Sequence, residues 1–397
     1  MALHCDKKIR VLYSFPHKLG ASRICYTAWQ QVNGLAAAGA DILVFPGVLH
    51  KPVSSNVRVR TTLARGKVRI PYKLLGTIRA CALHDFIVAR RLEKLAGRID
   101  IVHTWALGSL RTLKVASKLG IPAVLERSNA HTGFAYKVVR EECERIGIAL
   151  PRKHEHAHKE EVLRKEEEEY RLAYRLLCPS DFVVQTFLNQ GFQLQQLVRH
   201  IYGYDEKRFY PATRPRDPKP GLTALFAGMC AEVKGLHFAL EAWLGSPASR
   251  DGFFLIAGSF SPAYAAKLAP MLAHPSVKFL GPRNDLPELM QKTDILILPS
   301  LVEGFGLVIT EAMGSGCVPL ASDACTELCK HMENGLVHHV GDVKALSGHI
   351  TLLYDDRALL EKLRSAALRD APSFTWKAAG IRLLKAYDNV ISNYHKK

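Results

Sequence analysis

Five residues, Asp294-Ile295-Leu296-Ile297-Leu298, form a short apolar run closed by Pro299 and Ser300. A run this short and apolar has no polar side to show to water. It therefore reads as a strand buried on both faces of a parallel sheet, which demands helices above and below. The following residues agree. Gly304-Phe305-Gly306 makes a loop, Leu307 to Ser315 is apolar at helical spacing, and Gly316 stands where a left-handed C-terminal cap is expected. Strand, glycine loop and helix start together make an anion site, because backbone N–H groups and the positive end of the helix dipole point into the loop. Glu303 and Glu311 stand eight positions apart around it. A carboxylate beside phosphate is repelled, so each is expected to accept hydrogen bonds from flanking hydroxyls, on a sugar and on a ribose. A nucleotide sugar has that shape.

Elsewhere strand-like and helical runs alternate, the α/β pattern. The spacing predicts strands at Ile9 to Tyr13, Asp41 to Phe45, Asp100 to His103, Pro122 to Leu125 and around Leu177 and Cys178. The loop SFPHKLGAS follows the first, a helix then ends near Gly39, and a helix is expected over Leu107 to Leu119. Residues 211–221, PATRPRDPKPG, carry four prolines and break periodic structure, so the linker falls there. Strands resume at Leu222 to Ala227, Phe253 to Ala257, Val277 to Leu280, Asp294 to Leu298 and Val318 to Ala321. Two Rossmann-like halves result, with ligands expected at the carboxyl ends of both sheets. The first domain is residues 1–210 and the second 211–374.

The run PSLVEGFGLVITEAMGSGCVPLASD, with its E-x7-E spacing followed by a glycine- and proline-containing stretch, resembles the retaining family 4 glycosyltransferases. The resemblance implies the GT-B arrangement of two Rossmann-like domains facing each other across a cleft, with the last helix, about Thr375 to Tyr394, crossing back onto the first domain. It implies that Glu303 contacts the donor sugar and Glu311 the nucleotide ribose, with Gly304, Phe305, Gly306 and Leu307 cradling the pyrophosphate. A second stretch, Gly228-Met229-Cys230-Ala231-Glu232-Val233-Lys234-Gly235, is similar to the family's G-R-x-x-x-E-K-G. Lys234 is retained there as a pyrophosphate contact, while Met229 replaces the arginine and Val233 the glutamate. The absent cation must come from elsewhere, and Lys18 beside Gly20 is the expected substitute. Glu126-Arg127-Ser128-Asn129-Ala130-His131 resembles a family loop ending in a histidine at the donor sugar, which makes His131 a further catalytic candidate. His103 stands at a recurring family histidine, with cleft-lining and structural roles both open. A lone histidine at His103 is as often a satisfied packing residue, whereas at His131 the functional role is favoured over the structural one.

The 397 residues are 48% hydrophobic and 23% charged, ordinary for globular domains. Nine cysteines, an odd and scattered set without a signal peptide, lead us to expect reduced thiols in the cytoplasm. Cys325, Cys329 and His331, and the histidines of RKHEHAHKEE, lack a full ligand set, so no metal is expected. Charge is uneven. Residues 1–200 hold 32 Lys and Arg against 17 Asp and Glu, and the stretch 51–98 holds 12 basic residues against Asp85 and Glu93. Much of that lies in an expected amphipathic helix after Pro71, with Leu75, Ile78, Ala82, Phe86, Ala89 and Leu92 on its apolar side. An anionic membrane surface or a polyanionic lipid-linked acceptor suits it, as does a plain solvated face. Without an aromatic-interleaved motif, nucleic acid is not an expected partner.

The expected activity is transfer of a hexose, from GDP-mannose or a UDP-hexose, to a hydroxyl of a glycan or lipid-linked acceptor, with retained configuration and no cofactor beyond the donor. Alternatives are a GT-B phosphorylase or epimerase, and a catalytically silent sugar-nucleotide-binding subunit.

Overall fold

The computed structural model describes residues 8–65, 68–69, 75–150, 154, 156–213 and 221–396. Its strands are β1 (Arg10–Leu19), β2 (Asp41–Leu49), β3 (Arg58–Val59), β4 (Ala64–Arg65), β5 (Val68–Arg69), β6 (Ile101–Trp105), β7 (Ala123–Glu126), β8 (Arg175–Cys178) and β9 (Leu197–Arg199) in the first half. The second half has β10 (Thr223–Ala227), β11 (Phe253–Ala257), β12 (Val277–Gly281), β13 (Ile295–Leu298), β14 (Val318–Ser322) and β15 (Leu336–His338). One parallel sheet runs β3-β2-β1-β6-β7-β8-β9, the other β12-β11-β10-β13-β14-β15, and β4 and β5 form a separate hairpin. In both, strand order reverses where the chain leaves the centre, between β1 and β6 and between β10 and β13. Ligand crevices form at the carboxyl ends of strands at such reversals. Both glycine-containing loops singled out from the sequence sit there: Gly228 to Lys234 follows β10, and Ser300 to Gly306 follows β13.

The central strands have no solvent face. Every residue of β6, β7, β13 and β14 is buried, which is why they are mainly apolar, unbroken in β13 and interrupted by His103 and Thr104 in β6 and by Glu126 at the end of β7. The final helix, Trp376–Tyr394, packs on Ile24–Ala37 of the first half, and Leu383, Tyr387 and Val390 join the cluster that holds Val11, Val32 and Leu35. The approach needs two glycines: a Cβ on Gly380 would lie 2.3 Å from the Gly34 carbonyl carbon, and one on Gly34 would lie 2.7 Å from the Trp376 carbonyl oxygen.

Several expectations are corrected. β1 does not end at Tyr13 but continues to Leu19 beside β2, shifting register between Phe15 and Lys18. Lys18 is therefore an exposed strand residue opposite Val48, not part of a glycine loop, and Gly20 makes the turn with φ 88°. Likewise β6 runs past His103 to Trp105, and Glu126 ends β7 instead of opening a loop. The helix expected from Leu107 starts at Leu110, because Leu107 has φ 68° and its N–H donates to Glu169 Oε2 at 2.6 Å. The basic helix spans Thr77–Glu93, cut off from Leu75 by Gly76 at φ 73°, and Phe86, assigned to its apolar side, is 47% exposed beneath the Arg111 guanidinium. Most of the expected linker, residues 214–220, lies outside the described residues.

Candidate active site

Lys234 and Glu303 come from different loops and meet directly, with Nζ donating to Oε1 at 2.5 Å. Backbone constraints put them there. Glu232–Lys234 is a single 3-10 turn closed by Gly235 at φ 64°, and a Cβ on Gly235 would strike the Pro299 carbonyl at 2.1 Å, so the two loops are in backbone contact. The Leu301 N–H donates to the Val233 carbonyl at 2.9 Å and ties them in register. Ser300 Oγ donates to the same Glu303 oxygen at 2.9 Å, whereas Oε2 makes no hydrogen bond among the described residues. Glu303 is 8% exposed. The result is a buried carboxylate with one oxygen committed and one oxygen left for a ligand hydroxyl.

Gly306 stands at φ 78° and opens the helix Leu307–Gly314, whose first turn no side chain caps. The Ile309 N–H donates to the Gly306 carbonyl at 2.9 Å, and the N–H groups of Leu307 and Val308 before it are available to an anion. Phe305 is buried and holds the loop from beneath, its ring edge-on to Tyr202 at 5.5 Å. Gly304 is where the halves touch: an added Cβ would lie 1.8 Å from the Ser128 carbonyl of the first half. Ser180 Oγ, also of the first half, donates to the Gly304 carbonyl at 2.7 Å while accepting from the Val183 N–H at 3.2 Å as a helix cap. Ser128 and Ser180 were not singled out from sequence. The serine before Asp181 at the start of a helical run is a capping signal, but its second bond depends on the fold.

Glu311 lies one turn further along. Its carboxyl keeps partial contact with solvent yet is crowded by protein on most sides, and burial raises its pKa to about 7; the Asp205 carboxylate adds to the rise and Arg208 opposes it. Gly314, on the same side of the helix, lies against the Tyr204 ring, which sets Glu311 facing the interdomain segment.

His131 is placed differently. It caps the helix Thr132–Ile146 by accepting from the Gly133 N–H at 3.2 Å, its ring enclosed by Tyr170 and Phe187, and burial, helped by Arg127, lowers its pKa to about 4. It is 1% exposed, a capping and packing residue in this arrangement. His103 is fully buried too, its Nδ1 against the Tyr387 hydroxyl at 2.6 Å and its Nε2 3.5 Å from Glu126 Oε2. The Glu126 carboxyl is the centre of that network. It accepts from Gln31 Nε2 at 3.0 Å and the Tyr202 hydroxyl at 2.8 Å, and lies 2.9 Å from His200 Nε2. Burial alone would raise its pKa, but His200, His103 and these bonds hold it below the usual value. Glu126 and Tyr202 thereby connect β7, the segment that follows β9 and the Phe305 loop.

Two cavities border these loops. One, of about 520 Å³, lies at the ends of β10 and β11 against Gly228, Met229 and Ser259 and is reached by Arg23 from the first half. The other, of about 660 Å³, lies in the first half beside Trp105, Glu126, Asn129 and Thr132.

Residues 221–356, which contain the loops after β10 and β13, match the family model described as glycosyl transferases group 1. Over that stretch, about a third of the chain, the sequence is similar to glycosyl transferases group 1. Among curated proteins, the chain is 36% identical over 146 residues to an N,N'-diacetylbacillosaminyl-diphospho-undecaprenol alpha-1,3-N-acetylgalactosaminyltransferase of Campylobacter jejuni, over 36% of this chain and 39% of that protein. It therefore spans about two fifths of the length of that relative. It is 27% identical to a D-inositol 3-phosphate glycosyltransferase of Paenarthrobacter aurescens over 90% of both chains. The sucrose-phosphate synthase of Thermosynechococcus elongatus superposes with a TM-score of 0.69 at 19% identity, over 98% of this chain and 100% of that one. With both halves covered, the two parallel sheets and their helices form the GT-B fold.

Proposed function

We propose that the chain is a retaining glycosyltransferase of family 4 type that moves a hexose from a nucleoside-diphosphate sugar to a hydroxyl of a glycan or lipid-linked acceptor. The observation that carries this is the Lys234 and Glu303 pair at the mouth of the uncapped Leu307 helix, which sets a cation, a carboxylate and free N–H donors within one loop system. Retention and the role of each residue belong to the proposal.

The difficult step is charge separation, since an oxocarbenium-like centre develops while negative charge gathers on the departing diphosphate. Lys234 and the N–H groups at Leu307 are fixed before the reaction and stabilise that charge as it forms. Glu303 Oε2 accepts from a hydroxyl of the sugar, and its other oxygen keeps Lys234 aimed. Glu311 accepts from the ribose. In the front-face route the leaving phosphate takes the acceptor proton, so no protein base is required beside the acceptor. The cavity beside Trp105 and Asn129 is then the acceptor side. The relative from Campylobacter is named for a diphospho-undecaprenol substrate, and the exposed Arg79, Arg90, Arg91 and Lys94 of the basic helix suit an acceptor held at an anionic membrane surface. Among the described residues no helix is long and apolar enough to cross a membrane.

Incubation of the purified protein with a panel of nucleotide sugars tests the reading. One sugar nucleotide should raise the melting temperature selectively and be turned over in EDTA with retained anomeric configuration. An inverted product refutes the stereochemical assignment, and stabilisation by none of the panel refutes the donor site.

A further inference from the structure

Lys234 is not a free cation: Glu303 holds it at 2.5 Å, so the loop after β10 meets an incoming diphosphate with its positive charge already offset. The position at the mouth of that loop, Met229, carries a thioether and no charge. The cavity against Gly228 and Met229, which Lys234 does not line, is nevertheless lined by two arginines, Arg23 and Arg283. Arg283 is engaged, since Nε and Nη2 bind both oxygens of Asp285 at 2.7 and 2.5 Å. The Arg23 guanidinium has no hydrogen bond or ion pair among the described residues, and it comes from the opposite domain. Lys18, exposed on β1 opposite Val48, is not among the residues that line this cavity.

Resting on the donor reading above, we propose that Arg23 is a donor-binding residue: its guanidinium contacts the diphosphate across the cleft and supplies the cation that Met229 does not. A planar guanidinium with no partner of its own suits bidentate contact with phosphate oxygens. Because Arg23 opens the first-domain helix Ile24–Ala37 while Gly228 and Met229, which line the same cavity, belong to the second domain, a diphosphate held there joins the two halves. Arg23 itself has φ 57°, a conformation that side-chain-bearing residues adopt at a cost, and here it turns the chain so that the side chain leaves the helix towards the cavity.

Calorimetric titration of the full chain with UDP, GDP and ADP and with the corresponding monophosphates provides the test. The wild type is expected to bind at least one diphosphate. Arg23→Gln should weaken that ligand about 10- to 100-fold and its monophosphate less than about threefold. Arg23→Lys, which keeps the charge, should fall between. Met229→Arg placed in the Arg23→Gln background should restore most of the loss, a rescue that a merely structural role for Arg23 would not produce. Unchanged diphosphate affinity in Arg23→Gln, equal losses for mono- and diphosphate, or no rescue by Met229→Arg overturns the assignment while leaving the donor site intact. A wild type that binds none of the three diphosphates overturns the donor reading and Arg23 with it.

Discussion

Protonation of Glu311 should switch nucleotide affinity within the physiological range. Its carboxyl titrates near pH 7, raised first by burial and then by Asp205, against the pull of Arg208. Only the ionised form offers two acceptor oxygens to a ribose diol. With a pKa of about 7, roughly 3% of the sites are ionised at pH 5.5 and roughly 90% at pH 8, so nucleoside-diphosphate affinity should fall about 30-fold between the two. The folding linkage has the opposite sign. A carboxyl whose pKa rises from 4.5 to about 7 on folding contributes stability that is present at low pH and is lost as pH climbs through that interval. The ligand-free protein should lose this contribution to its stability over the same pH range in which its nucleotide affinity rises. Titrations from pH 5.5 to 8 should be run on the wild type and on Glu311→Gln, since the terminal phosphate of the ligand titrates in both and cancels in their ratio. A ratio that stays constant across the range, within about twofold, refutes the assignment of Glu311 to the ribose.

Three further outcomes are expected. Lys234→Ala should cost about 10² to 10³ in turnover, the scale of a lost oxyanion-hole donor, with activity otherwise persisting in EDTA; steady-state kinetics check both. Gly304→Ala must push the loop off the Ser128 carbonyl, so turnover should drop on the order of 10²-fold with secondary structure by circular dichroism unchanged, because a displacement of about 1 Å suffices to spoil alignment. Binding to anionic vesicles through the exposed Arg79, Arg90, Arg91 and Lys94 should be strong at about 0.1 M salt and lost near 1 M, as co-sedimentation will show, and charge reversal of Arg90 and Arg91 should abolish it.

What the sequence made legible was governed by local physics. The β13 strand, the Gly306 turn and the helix after it were readable because four consecutive large apolar residues have one stable environment and a left-handed turn has one preferred residue. The extent of β1 was hidden: Pro16 and the polar residues after it look like a loop, yet a parallel strand tolerates them where its register shifts. Glu126 looked like a loop residue because a buried carboxylate is costly alone, and its donors come from Gln31, His200 and Tyr202, spread over 170 residues of chain. His131 turns inward to cap its own helix, which its place after a strand does not reveal. The standing of Arg23 depends on which residues from the other domain it faces, information that no local pattern contains.

The glycine notch between Gly34 and Gly380 bears on the order in which the chain can complete itself. Leu383, Tyr387 and Val390 fill the surface around Val32 and Leu35, and the Tyr387 hydroxyl sits on His103 in the first domain's interior. During synthesis the first domain emerges early with that face bare, and it stays bare until the second domain and the last helix have followed. The half made first is the half finished last. Cutting the chain near residue 213 should therefore yield a first domain with an open apolar seam, prone to association, whereas the same fragment supplied with residues 375–396 in trans should close over it.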